Sequence, residues 1–300
     1  MPSNPDPRVS IVVVGYAPAP LLARCLAVLS EQQARYPDAE LLVVAHAEHK
    51  GTLLDPVRAR FPAIPWIVAP VDHNVARLRG LGIARSRGAV VALLEGDCIP
   101  ADDWLGRVAQ LAPAVALGGA VEPGDFRRGL DWAAYFAEFS QFMAPLPERP
   151  AQLPGTNVAY RRAALPDTAT LEGEGLYETF LNADLGARAA LATDSALVVR
   201  HERTWRPADL LATRYHHGRG FGGLRVRGQP PVKRMAYLGL AVLLPFVLVA
   251  RVLRNVGRRR RLIGRALASL PWIALLSASW SIGEFAGYAA GPGSSLEKWR

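Results

Sequence analysis

Two carboxylates one residue apart, Glu95 and Asp97, close the apolar run AVVALLEGD at residues 89–97. An unbroken hydrophobic stretch bounded by Gly88 and Gly96 predicts a strand buried on both faces, as at the centre of a parallel α/β sheet. Acids at its end then lie at the sheet's carboxyl edge. Open α/β sheets bind ligands there, and hard carboxylate oxygens suit a divalent cation bridging a diphosphate. A solubilising turn is the competing reading of an isolated Glu-x-Asp.

The flanking elements favour the first reading. RVSIVVV at residues 8–14 predicts a second buried strand, followed by Gly15, Tyr16 and a proline-punctuated turn into a helix over 20–33. ELLVVA at 40–45 repeats the pattern, and residues 66–69 repeat it more weakly, with helical stretches between. Strands alternating with helices predict a Rossmann-like, mostly parallel α/β sheet. The first strand lacks the Gly-x-Gly-x-x-Gly turn of dinucleotide-binding folds, since Gly15 stands alone at its end.

The segment NVARLRGLGIARSRGAVVALLEGDCIPADDWL, residues 74–105, resembles the core of the family 2 inverting glycosyltransferases. Arg79, Gly82, Gly88, Asp97, Trp104 and Leu105 keep the spacing of that family's motifs, and the resemblance extends over about residues 9–222. It implies a nucleotide-diphospho-sugar transferase fold, in a membrane-attached bacterial-type member, with Mg²⁺ or Mn²⁺ under the donor's diphosphate. Glu95 stands where the family usually has Asp, which adds a methylene and keeps the charge. The second strand ends in Ala45, followed by His46 and Glu48, where the family usually has an Asp for the nucleobase or ribose.

The resemblance distributes further roles. Gly15, Tyr16, Arg79, Glu95, Asp97 and Arg214 are expected on the donor, and Glu95, Asp97 and His201 on the metal. LPGTNVAYRR at 153–162 resembles the acceptor-side segment, with Gly155 permitting close approach and Thr156 and Asn157 offering hydrogen bonds. An inverting transfer needs a carboxylate to take the acceptor's proton. The family's Glu-Asp pair falls on Leu181 and Asn182, which cannot act as bases, so Glu178 is expected in that role with Asp184 as its rival. A first-turn helix acid is the plain alternative for Glu178. Leu211 and Tyr215 replace the Gln and Trp of the processive members' Gln-x-x-Arg-Trp motif, which argues against a polysaccharide synthase.

The 300 residues carry a formal net charge of +9 with a pI near 10.0 and a mean hydropathy of +0.11. The apolar excess lies at the C-terminus, in residues 235–253 and 266–283, both close to spanning length. We expect a catalytic domain over 1–224, a basic linker over 225–234, a hydrophobic helical hairpin over 235–291 and a polar tail over 292–300. No basic-then-apolar segment opens the sequence, so no secretory signal is expected. Because the Arg-rich loop between the two segments would cross a membrane against the positive-inside tendency, a shallow or re-entrant hairpin on anionic lipids is expected, with the catalytic domain at the cytoplasmic face. A buried helix pair of a soluble domain is the alternative.

Arginines beside apolar segments, without interleaved stacking aromatics, speak against nucleic-acid binding. Cys25 and Cys98 give no disulfide framework and fit a reducing compartment. These features together predict transfer of one sugar from a nucleotide-diphosphate sugar to a lipid-linked or membrane-proximal acceptor. Ala45 and Asn182 leave a second reading, a degenerate protein that binds a sugar nucleotide or lipid without transfer.

Overall fold

The computed structural model describes residues 8–49, 51–110 and 115–299. Residues 1–7, on which the expectation of no secretory signal rests, lie outside them. In chain order the first elements are β1 (Val9–Val14), α1 (Ala19–Arg35), β2 (Ala39–Ala45), β3 (Glu48–His49), β4 (Thr52–Leu53), α2 (Asp55–Arg60), β5 (Trp66–Val68), α3 (Val75–Arg85), β6 (Val90–Glu95), β7 (Cys98–Pro100), α4 (Trp104–Ala109) and β8 (Ala116–Pro123). There follow α5 (Gly129–Phe139), β9 (Asn157–Arg161), α6 (Thr168–Gly173), α7 (Glu178–Arg188), β10 (Leu191–His201), α8 (Pro207–Arg225), α9 (Pro231–Leu240), α10 (Leu244–Arg259), α11 (Ile263–Ala268) and α12 (Leu270–Ala290). Two compact units result, one from residues up to Gly124 with Phe142–Arg203, the other from Asp125–Gln141 with Thr204–Arg300.

The first unit is built on an eight-stranded sheet in the order β5-β2-β1-β6-β9-β8-β10-β7. Strands β5, β2, β1 and β6 run parallel, as expected from their alternation with helices. Beyond them β9 runs antiparallel between β6 and β8, and β7 runs antiparallel on the far edge of β10. The sheet is thus mixed rather than wholly parallel. Val91, Ala92, Leu93 and Leu94 of β6 are fully buried because the strand is central and covered on both faces.

Two motif glycines have packing reasons. A Cβ on Gly82 of α3 would fall 2.3 Å from Val12 Cγ1, and one on Gly88 would fall 2.5 Å from the Ser10 nitrogen. Both positions let α3 and the loop after it lie directly on β1. Asn74 caps α3, its Oδ1 accepting from the Arg77 N–H at 2.9 Å, which fixes the helix start one turn ahead of Arg79.

The second unit is helical. Helices α8 and α12 pack at backbone contact, since a Cβ on Gly283 would fall 2.0 Å from the Tyr215 carbonyl oxygen and one on Gly218 would fall 2.2 Å from that of Trp280. Glu284 of α12 is buried and accepts from Trp280 Nε1 at 2.6 Å and from the Tyr288 hydroxyl, with Arg225 at 3.5 Å. Among the described residues no single helix is long and apolar enough to cross a membrane. Helices α9 and α10 pass that test only as a pair, bent by 67°.

Candidate active site

The carboxyl end of β6 carries the acids where the sequence places them. Val14 of β1 pairs with Glu95, and Gly96 N–H donates to the Val14 carbonyl at 3.0 Å, so the chain turns directly off the sheet into Asp97. Strand β10 returns beside this turn: His201 pairs with Cys98, and Glu202 N–H donates to the Asp97 carbonyl at 3.0 Å. His201 Nε2 consequently lies 3.9 Å from Asp97 Oδ2. Asp97, Glu95 and His201 are all buried, at 1%, 6% and 4% exposure.

Glu178 comes from a distant part of the chain. Leu176 N–H donates to the Ala76 carbonyl at 2.7 Å, and Gly175, at φ +82°, lies against Ala76 so closely that no side chain fits. Asn74 Nδ2 adds a bond to the Tyr177 hydroxyl at 3.2 Å. This splint against the first turn of α3 sets Glu178, at the start of α7, beside Arg79. The Arg79 guanidinium then forks, one terminal nitrogen donating to Glu178 and the other to Glu95. Burial opposes the charge on Arg79, but Glu178 and Glu95 more than offset it and hold the group cationic.

Arg203 completes the cluster and was not anticipated from the sequence. It is buried, 3.6 Å from Asp97 Oδ2, with its guanidinium 5.5 Å over the Tyr16 ring. The available signal was its position two residues after His201, which continues the same side of an extended chain. Burial, then Glu95 and Asp97, raise the Tyr16 pKa, so its hydroxyl stays neutral beside the acids. Among these side chains three carboxylates stand against two guanidiniums. An excess of carboxylate charge of this kind favours an approaching cation.

Other expected residues are placed differently. Gly155 adjoins Glu178: a Cβ there would fall 2.7 Å from the carboxylate, so only glycine lets this backbone lie against the acid. Thr156 is buried next to it, beside the Cys98 thiol, whose pKa burial raises. Asn157 has its amide committed to the sheet, donating to the Ala120 and Leu197 carbonyls at 2.9 Å each and accepting from Trp104 Nε1 at 2.8 Å. Asn157→Ala should therefore lower stability on the order of 3 kcal/mol, by stranding three buried groups, as measured by denaturant unfolding.

Asn182, on the family's acidic position, is fully buried between the Tyr160 hydroxyl at 2.9 Å and the Leu153 carbonyl at 3.2 Å. The site has no room for a solvated carboxylate there. Asp184 lies with its side chain 62% exposed in an ion pair with Arg188. Gly15 packs against Ala45, and its N–H donates to the Val44 carbonyl at 2.8 Å. His46, after Ala45, bonds the His73 carbonyl at 2.9 Å. Arg214 belongs to the second unit, with its guanidinium 4.5 Å over the Trp280 ring and its pKa lowered by burial to about 10.

Glu95, Asp97 and His201 all lie buried at the β6 edge, with His201 3.9 Å from Asp97, and carboxylates and imidazole are donor types that suit a hard divalent cation. Among the described residues no three such groups form a ready cage, so a bound cation would take its remaining ligands from a diphosphate or water. Glu95 would join only as Arg79 releases it.

A family model described as Glycosyltransferase like family 2 matches residues 7–223. Glycosyltransferase AglE of Haloferax volcanii is 28% identical over 103 residues, 34% of this chain and 34% of that protein, so the match spans about a third of the relative's length. The mannosyltransferase PcManGT from Pyrobaculum calidifontis, solved with GDP-Man and Mn²⁺, superposes with a TM-score of 0.55 at 18% identity, covering 95% of this chain and 88% of that one. S. aureus TarS 1–349 in complex with UDP-GlcNAc superposes with a TM-score of 0.51 at 14% identity, covering 91% of each. These two likenesses are likenesses of fold.

Proposed function

Because the chain belongs to the family 2-like glycosyltransferases, we propose that it transfers a single sugar, with inversion, from a nucleotide-diphosphate sugar to a lipid-linked or membrane-proximal acceptor. The observation that carries this reading is the fork of Arg79 between Glu95 and Glu178, which ties the acid at the sheet edge to a carboxylate on another element. Asp97, His201 and Glu95 would hold Mg²⁺ or Mn²⁺. When bound, such a cation neutralises charge developing on the departing diphosphate.

The chain's own groups supply the rest. Arg79 and Arg203 add positive charge in a buried setting, where it acts on the leaving phosphates more strongly than in water. Glu178, whose side chain is 22% exposed, takes the proton of the acceptor hydroxyl as that oxygen bonds to the anomeric carbon and the bond to the diphosphate oxygen breaks. Attack opposite the leaving group inverts the anomeric centre. The donors held in the two similar structures, GDP-Man and UDP-GlcNAc, make guanosine and uridine diphospho-sugars the first to test.

We place this work at the cytoplasmic face of a membrane; contact with a membrane is supported by the exposed apolar side chains that the second unit carries beside basic residues. The test is a panel of labelled donors incubated with the protein and membranes, with Mn²⁺ or with a chelator. Metal-dependent consumption of one donor, with label moving into lipid, is the expected result. Donor binding without consumption would instead support the degenerate binder.

A further inference from the structure

We propose that the second unit docks on an anionic bilayer through the elbow between α9 and α10, which wedges into a single leaflet without crossing it. The inference deepens the membrane-facing part of the proposed function and rests on it for the choice of partner. It names the residues that enter lipid, the depth they reach and the headgroup charge they need.

The elbow, residues 241–243 with the adjoining turns, has two unlike sides. Inward, Ala241 packs with Val226 and Tyr288, Leu238 joins them, and Tyr237 stacks on Tyr288 with ring centroids 5.3 Å apart. Leu248, Val252 and Val256 of α10 continue this buried side at helical spacing. Outward stand Met235, Leu240, Val242, Leu243, Phe246 and Val247, all more than half exposed, with Phe246 at 74%. A contiguous outward apolar surface of this kind needs a partner.

Charge along the arms says which partner. Between Asp209 and Glu284 the sequence holds thirteen basic residues and no acidic one. On the arms the cations lie away from the elbow: exposed Lys233 in the first turn of α9, exposed Arg254 and Arg258 along the second half of α10. From Phe246 to Arg254 the helix rises about 12 Å, and from Lys233 to Leu240 about 10 Å. With the axes inclined by the 67° bend, the vertical separation falls within the roughly 5–10 Å over which interfacial helices sink. Apolar tip and basic shoulders therefore match acyl chains and anionic headgroups at one depth. A second copy would bring the same unopposed positive charge to the contact, and nucleic acid would leave the apolar tip exposed to water.

The remaining apolar segment is packed along one side. Ile273, Leu276, Ser277, Ser281 and Gly283 of α12 are buried against neighbouring helices of the same unit, while Leu275, Ile282 and Phe285 stay exposed on its other side.

The test uses the full chain and vesicles of phosphatidylcholine with or without phosphatidylglycerol. Wild-type protein should cosediment with the anionic vesicles and be released by salt. The double change Phe246→Glu and Val247→Glu should weaken binding at least tenfold, and Arg254→Glu with Arg258→Glu should remove the preference for anionic lipid. A dye on Val242→Cys should be quenched by lipids brominated at shallow acyl positions, and Arg260→Cys should react with an impermeant thiol reagent from the side to which the protein was added. The native Cys25 and Cys98 are buried and give little background.

Unchanged vesicle binding by the Phe246/Val247 variant, reaction of Arg260→Cys only from the far side, or self-association or nucleic-acid binding in place of lipid binding would each overturn the proposal. Donor consumption is read separately. If no donor is consumed while vesicles still bind as described, the transferase reading fails and the lipid wedge stands.

Discussion

Asp97→Asn is expected to lower the rate of sugar transfer by about 100- to 1,000-fold, the usual cost of deleting one preorganised electrostatic group at a developing charge. Asp97 is 1% exposed, lies 3.9 Å from His201 and 3.6 Å from Arg203, and has its backbone pinned by Glu202. Asparagine keeps the shape and removes the charge, so the fold should persist, which circular dichroism and the unfolding midpoint would check. The loss should appear in kcat and in the metal concentration needed for half-maximal rate. A variant with ordinary kcat and metal requirement would remove Asp97 from the centre of the mechanism.

Glu178→Gln should be as damaging, by about 100- to 10,000-fold in kcat, and by a different route. The amide retains a hydrogen-bond acceptor for Arg79 but cannot take a proton. Donor affinity should stay within a few-fold of wild type, because residue 178 reaches the diphosphate end of the site only through Arg79, to which glutamine still offers an acceptor. Equilibrium donor binding together with single-turnover transfer separates the two effects. Full activity in this variant would move the base to Asp184, whose exposed ion pair with Arg188 makes it the poorer candidate.

Much of this centre was legible because a buried strand advertises itself. The apolar runs of β1, β2 and β6 mark a sheet interior, and an acid pair ending such a run has few places to be other than the sheet edge. His201 was reachable through the spacing of the motifs it resembles. Arg203 was not, since a basic residue after a strand reads as solvated until β10 is seen lying beside the turn at Asp97.

Asn157 shows the opposite failure. As a polar residue beside Gly155 it reads as a ligand group, but β9 inserts antiparallel between β6 and β8 and turns the side chain into the sheet's own hydrogen bonding. Nothing local to residues 153–162 announces that pairing. The C-terminal segments are ambiguous for a third reason: apolar residues all round a helix are equally suited to lipid and to other helices, and the close approach of α8 and α12 rests on Gly218, Gly283 and Gly287.

The most direct test of the central claim is calorimetric titration of UDP and GDP into the protein with Mn²⁺ and with a chelator, repeated for Asp97→Asn. The acids and imidazole at the end of β6 predict that one nucleotide binds measurably with Mn²⁺, and that chelator or the substitution weakens this at least tenfold. Equal affinity with and without metal, or no nucleotide binding under either condition, would contradict the account.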